Sequence, residues 1–328
     1  MKTFDVITVG AAVRDVYIQS DAFRVAPSHI TTGQKDACFV LGSKIEVEAP
    51  LFETGGGATN AAATFAHLGF KTAVLCRVGS DQLAQNVRDD LHAHGIYTDL
   101  VTEDAHHATG YSLLLTAQGG ERTAIVYRGA SSAWVTRDIP ATFRAQWVYV
   151  TSLGGNIAIV KTVLERAHAS GCRIAWNPGT LELAHGFSKL KPLLRHADIV
   201  FLNRQEAAML TRESHHDTEG LLRSIASYVK DVFVMTDGTH GAHARQADVR
   251  FRAFPNDVTI VNTTGAGDAF GSGFVSGFAS FAGNVTDALR LATLNAESVI
   301  QKIGAKNGLL ERMPGTRRLG SVRVESYT

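Results

Sequence analysis

Buried-strand patterns alternate with amphipathic helical patterns over most of this chain, and the alternation limits the possible folds more than any other feature. Residues 4–10 read as a buried strand, 58–68 as a helix that stops at Gly69, and 72–79 as a strand again. Residues 82–94 place Leu83, Val87 and Leu91 on one helical face and end at Gly95. Further strands are expected at 147–153, 173–176, 198–202 and 231–235, each separated from the next by a helical stretch. Strands joined through helices predict an α/β fold with a mostly parallel central sheet flanked by helices.

Two segments break this rhythm. Residues 17–52 lack a helical period, and 111–116 with 123–128 form a strand pair around Gln118-Gly119-Gly120-Glu121, a sequence suited to a hairpin loop. Together they predict a small β lid, formed by about 15–52 and 109–130, over one end of a single domain spanning 1–328. The chain has 328 residues, of which 45% are hydrophobic and 19% charged, enough for a sizeable core. Lys plus Arg (32) nearly balances Asp plus Glu (31), which gives no global electrostatic reason to expect nucleic-acid or membrane binding. The longest apolar run, 270–281, is interrupted by Gly and Ser, so no membrane span is expected. Cys38, Cys76 and Cys172 lack CxxC spacing and read as reduced core residues of a cytoplasmic protein. The N-terminal apolar run is too short for a signal peptide and reads as the first strand, whereas the Arg-rich residues 312–328 are expected to form a surface tail.

Chemistry concentrates in Val261-Asn262-Thr263-Thr264-Gly265-Ala266-Gly267-Asp268-Ala269-Phe270-Gly271. A β-rich run at 259–261 feeds a small-residue turn, and an apolar helical pattern follows from Ala269. Glycines there let several backbone N–H groups face an anion at a helix N-terminus. Asp268 beside those donors would repel a phosphate, so it needs another task, and accepting a proton from an attacking hydroxyl is one. The pair of features suggests phosphoryl transfer from a nucleotide to an alcohol.

Three weaker constellations accompany it. Thr54-Gly55-Gly56-Gly57-Ala58-Thr59-Asn60 opens a helix and suits either a polyol-binding turn or a plain tight turn. Asn203-Arg204-Gln205-Glu206 follows a strand and fits either hydrated Mg²⁺ or an N-cap with a capping-box Glu. Thr236-Asp237-Gly238-Thr239-His240-Gly241 could wrap nucleotide phosphates or form a β-turn. No GxxxxGK[ST] occurs, and Gly10-Ala11-Ala12-Val13 is not the GxGxxG of a dinucleotide fold.

The order of these motifs resembles the ribokinase-type carbohydrate kinases, the PfkB family. Gly56-Gly57-Ala58-Thr59-Asn60-Ala61-Ala62, followed by Gly69 and Gly79, is similar to the family's N-terminal signature, and residues 262–268 to its C-terminal one. Asn203 and Glu206 match its NxxE motif; Thr236, Gly238 and Gly241 match TxGxxG. The resemblance implies phosphorylation of a sugar-type alcohol by MgATP. It implies Asp268 as the base and the amides of Gly265, Ala266 and Gly267 as the anion hole. Asn203 and Glu206 would organise Mg²⁺ through its waters; Thr236, Gly238 and Gly241 would line the nucleotide site, with Asn295 beside the adenine. Asp15 would bind substrate hydroxyls, with Gly55, Gly56 and Asn60 in the same pocket.

Departures narrow that implication. Ribokinases usually carry Asp, which helps hold a monovalent cation, where this chain has Asn262, so potassium dependence is in doubt. They also tend to have Asn at the place of Val13 and Lys at that of Gly57; the acidic substrate residue expected after strand 147–153 is replaced by Thr151 and Ser152. These changes argue against ribose. A nucleoside kinase of the same fold is the alternative, with Phe23, Phe39 or Tyr111 stacking on a base. A non-catalytic sugar or nucleotide sensor is a rival of another class, against which the retained Asp268 counts. The adjacent pairs His106-His107 and His215-His216 read as solvated loop residues rather than metal ligands. An exposed β face on the lid would allow two copies to cover each other, so a homodimer through the lid is expected.

Overall fold

The computed structural model describes residues 3–31, 35–116 and 122–328. Its main sheet has nine strands, and six of them are parallel, in the spatial order Thr72–Leu75, Phe4–Val9, Ala145–Val150, Arg173–Trp176, Ile199–Asn203 and Val232–Thr236. Three antiparallel strands, Ala242–Gln246, Val249–Phe254 and Arg323–Tyr327, extend the far edge. The parallel strands are buried on both faces, which is why they read as apolar runs instead of alternating patterns. Ile7, Val148, Ile174 and Val200 face one layer of helices, where Val160, Val163, Leu164 and Leu194 meet them. Val6, Trp147, Phe201 and Val234 face the other, against Phe274, Phe278, Ala288 and Ala292. The Gly57–His67, Ala266–Ser280 and Val285–Ile300 helices belong to this second layer and carry most of the candidate chemistry.

A second, four-stranded sheet has the order Arg122–Tyr127, Gly110–Thr116, Val13–Gln19 and Leu51–Gly55. Period-2 alternation sorts its residues cleanly. Asp15 stands between Ser112 and Glu53, and with Val13, Tyr17 and Leu114 forms a buried face. Val16, between Leu113 and Phe52, belongs to the opposite face with Tyr111, Ile125 and Tyr127, which is largely exposed. A short hairpin, Arg24–Pro27 with Lys35–Cys38, projects from the 17–52 segment. The Gln118–Glu121 loop expected between the hairpin strands lies outside the described residues.

Four readings need correction. Cys38 is exposed rather than in the core, whereas Cys76 and Cys172 are buried. Residues 259–261 are not a strand, because the N–H groups of Val261 and Asn262 both donate to the Ile300 carbonyl, at 2.8 and 3.0 Å, instead of to a neighbouring strand. The expected tail is structured: Arg323–Tyr327 pairs with Val249–Phe254, Leu319 and Val322 are buried, and the Arg323 guanidinium lies 4.6 Å from the Phe254 ring centroid. The 72–79 run is two strands, Thr72–Leu75 and Arg77–Gly79, separated at Cys76.

Arg77 explains the departure of that second strand. Its side chain is 5% exposed and pairs with Asp104 at 2.5 Å and with Asp138, while Asp104 also accepts from the His106 and His107 N–H groups. Removing the cation strands two buried carboxylates. Arg77→Met is therefore expected to lower stability by about 3–5 kcal/mol. The urea midpoint should fall at unchanged slope; a midpoint equal to that of the parent would remove this account.

Candidate active site

The carboxyl ends of the central strands and the N-terminus of the Ala266–Ser280 helix meet at one place, as they do in open α/β sheets. Gly265 caps this helix at φ 78°, a conformation that disfavours other residues. Asp268 follows in the first turn and accepts a 2.8 Å hydrogen bond on Oδ2 from Asn60 Nδ2, 208 residues away in sequence. Asn60 sits in the first turn of Gly57–His67, whose cap Gly56 has φ 95° and whose added Cβ would lie 2.4 Å from the Ala11 carbonyl oxygen. Two glycine-started helices therefore bring Asn60 and Asp268 together. Asn60 Oδ1 is buried without a hydrogen-bond partner among the described residues, an arrangement that a hydroxyl donor would complete.

Asp15 joins them from the second sheet. It is 6% exposed, and its carboxylate rests on Gly55, where an added Cβ would lie 1.9 Å from Oδ2. Burial pushes its pKa up to about 6, opposed by a hydrogen bond from Ser112 and the Lys306 ammonium and assisted by Asp268. Burial also raises the Asp268 pKa, with Asn60 and Lys306 acting in the other direction. Thr151 packs between Gly10 and Gly57 on the floor of this region. Ser152 donates to Glu182, whose carboxylate also accepts from the N–H groups of Leu153, Gly155 and Gly179. That carboxylate organises the loop after the strand.

On the other side of Gly267 lies a cavity of about 520 Å³, lined by Thr236, Gly238, Gly241, Val258, Ile260 and Ala296, among others. A smaller cavity of about 120 Å³, lined by Asn177, Asn203 and Glu206, shares Thr236, Gly267 and Phe270 with it. A side chain at Gly267 would project into open space, so the turn is a cradle that glycine leaves clear. The Ala266 N–H turns back to the Thr263 carbonyl at 3.3 Å, a long bond. Asn203 and Glu206 form a reciprocal capping box, Glu206 N–H to Asn203 Oδ1 and Asn203 N–H to Glu206 Oε2, each 2.8 Å, while both line the smaller cavity. Burial raises the Glu206 pKa. Arg204 Nε holds Asp237 at 2.8 Å and so ties this helix start to the Thr236–Gly241 turn.

Not every expected residue faces the site. Asn295 does not face the large cavity: its amide donates to Thr64 Oγ1 (3.2 Å) and the Ala269 carbonyl (2.9 Å) and accepts from Leu310 N–H (3.1 Å), leaving no group for a ligand. Its neighbours Thr293, Ala296 and Glu297 line that cavity instead. Tyr111 lies on the sheet face opposite Asp15, and Phe23 and Phe39 contact each other at 6.4 Å. Asn262 Oδ1 already accepts from Thr264 N–H at 2.7 Å, so it fits poorly as a substitute for a charged cation ligand. Among the described residues no group of three or more His, Cys, Asp or Glu side chains could hold a metal ion. No helix among them is long and apolar enough to cross a membrane. Asn177 and Lys306 escaped the sequence reading. Asn177 could have been found as the polar residue ending the apolar strand Arg173–Trp176, whereas Lys306 carried no local signal.

Known proteins share the architecture. A sugar kinase of uncharacterised specificity from Archaeoglobus fulgidus is 27% identical over 249 residues, 74% of this chain and 96% of that protein. The structure of a probable sugar kinase from Rhizobium etli superposes with a TM-score of 0.77 at 27% identity, over 95% of this chain and 98% of its own. That of adenosine kinase from Sinorhizobium meliloti gives 0.75 at 24% identity, over 98% and 99% respectively. Residues 5–312 match the model of the pfkB family carbohydrate kinases, and the chain belongs to that family.

Proposed function

We propose that this protein transfers the γ-phosphoryl group of ATP to a hydroxyl of a small sugar-like acceptor, with Asp268 as general base. The carrying observation is the placement of Asp268: paired with Asn60 on the acceptor side, it stands one residue beyond the open Gly267 turn that leads into the nucleotide-sized cavity. The acceptor hydroxyl lies between Asp268 and Asn60 Oδ1, and Asp15 accepts hydrogen bonds from other hydroxyls of the same molecule. Asp268 takes the proton as the hydroxyl oxygen attacks phosphorus, and the Gly265 and Gly267 amides stabilise the charge on the transferring group, with Ala266 a weaker third donor. Thr236, Gly238 and Gly241 flank the nucleotide. The open lining of the smaller cavity suits Mg²⁺ held through water by Asn203 and Glu206; bound there, the ion would neutralise charge on the phosphates. No monovalent cation enters this reading, because Asn262 brings no negative charge to hold one.

A nucleoside acceptor is the second reading, favoured by the likeness to the Sinorhizobium meliloti adenosine kinase. The sugar reading is preferred because Tyr111 faces away from Asp15 and so presents no stacking surface beside that carboxylate. The second sheet serves as the lid. Its outer face leaves Phe52, Tyr111, Ile125 and Tyr127 at 54, 44, 55 and 42% exposure, a patch suited to a second copy of the chain.

ADP release with MgATP across sugars, sugar acids, sugar phosphates and nucleosides tests the reading. One acceptor should turn over, and Asp268→Asn should reduce kcat by about 10²–10⁴-fold; retention of the parent rate would exclude Asp268 as the base. The acid limb of kcat/KM should lie near pH 6, since protonation of Asp15 as pH falls through about 6 removes a hydroxyl acceptor, and the raised Asp268 acts in the same sense. A limb near pH 4 would contradict the burial argument. Sedimentation at micromolar protein should give a dimer that Tyr111→Asp with Ile125→Asp dissociates; a wild-type monomer would remove the lid interface.

A further inference from the structure

Lys306 lies outside every motif, yet it joins both halves of the proposed reaction site. Its side chain is 2% exposed, and Nζ donates to the Thr54 carbonyl at 2.9 Å and to Asp90 Oδ2 at 2.6 Å. Burial lowers its pKa, and Asp90 opposes that shift. A buried ammonium is costly unless paired, so its position is informative. The residue before it, Ala305, packs against the anion-hole turn: a Cβ added to Gly265 would lie 2.5 Å from Ala305 Cβ. The residue after it, Asn307, donates to Glu53 Oε1 at 3.0 Å. Three consecutive residues therefore touch the phosphoryl end of the site and two positions of the lid strand Leu51–Gly55. Gly55, next to Thr54, is the residue on which the Asp15 carboxylate rests.

We propose that Lys306 is a positioning residue for the acceptor: its anchored ammonium supplies the fixed positive charge behind Asp15 and Asp268 while locking the lid strand to the phosphoryl-transfer end. The surrounding charges leave it that task. The Gln82–Ala93 helix contributes Asp90, and Arg88, which is paired with Glu103 at 2.9 Å. His94 at the end of that helix stands 3.9 Å from Asp90 and shares a 2.9 Å contact with His67; burial holds both imidazoles below their ordinary pKa. The lid strands contribute Glu53, Asp15 and Arg14, the catalytic helix contributes Asp268, and Cys76 completes the set as a thiol that burial pushes up to about 12. With Lys306 removed, the two acceptor-side carboxylates keep their burial and mutual repulsion and lose a cation that opposes both.

The kinetic part of the test rests on the proposed kinase reading; the titration part does not. Carboxyl ¹³C NMR of aspartate-labelled protein, assigned with Asp15→Asn and Asp268→Asn, follows the two side chains without any acceptor. Lys306→Gln keeps a donor for Thr54 and removes only the charge; Lys306→Met removes both. The Asp15 midpoint should rise by about one pH unit in Lys306→Gln, and at least as far in Lys306→Met. Asn307→Ala, which removes the bonds to Glu53 and to the Ile303 carbonyl but leaves the ammonium, should leave it in place. With the identified acceptor, kcat/KM of Lys306→Gln should fall about fivefold at pH 6 and return towards the wild-type value above pH 8, the signature of a shifted ionisation. An unchanged midpoint in Lys306→Gln would overturn the proposal and leave Lys306 a structural anchor; if Lys306→Met does not fold, Lys306→Gln decides alone. A shifted midpoint in a protein that turns over no acceptor would count against the kinase reading and in favour of the role of Lys306.

Discussion

The hydrogen bond between Asn60 and Asp268 depends on two helix N-termini from opposite ends of the chain lying side by side, and most of the second helical layer serves that approach. Asn295, fully buried in the third helix, donates to Thr64 of one helix and to Ala269 of the other and accepts from Leu310. Each such bond contributes about 1 kcal/mol net, but an orphaned buried amide costs more, so the arrangement penalises any slippage between the helices. Close packing has the same effect. A Cβ at Gly271 would lie 2.2 Å from the Tyr149 hydroxyl, and one at Gly277 would lie 2.8 Å from Ala288 Cα. The Ala266–Ser280 helix is glycine-rich because it is pressed between the sheet and Val285–Ile300.

In the proposed reaction, that geometry places acidic groups where a phosphate would arrive, which is electrostatically unfavourable. Asp15 is drawn towards the protonated form by burial, and Asp268 adds to the effect. The compensation is local, since the net charge of the chain is only +1. In the proposed reaction, helix-terminal N–H groups serve the phosphoryl side and Lys306 the carboxylate side; Ala305 packs on Gly265, while the Lys306 and Asn307 side chains donate to the Thr54 carbonyl and to Glu53.

The legible part of the sequence was the part whose physics is local. Alternating strand and helix periods gave the parallel sheet, and the glycine-rich turns marked the starts of the helices at Gly57 and Ala266. What escaped depends on distant partners. Residues 259–261 have β-forming side chains, but the Val261 and Asn262 N–H groups are satisfied by Ile300, and the Arg-rich C-terminal segment is a strand because Val249–Phe254 offers it an edge. Asn295 fits a ligand-facing role by position, yet the direction of a helical side chain is decided by its packed neighbours, here Thr64 and Ala269. Lys306 lies 216 residues from Asp90 and 252 from Thr54, so no local pattern could announce it.

Asn203 and Glu206 show why competing sequence readings need not exclude one another. The capping box uses one oxygen of each side chain, Asn203 Oδ1 and Glu206 Oε2. Asn203 Nδ2 and Glu206 Oε1 are not consumed by it, and both residues line the cavity beside Gly267. Capping fixes the rotamers in advance, so binding an ion or its waters there would require little further ordering of side chains. Arg204 extends the same restraint to Asp237, which ties the cap to the turn that flanks the larger cavity. The structural role of the motif is thus the means by which its free atoms are presented to a ligand.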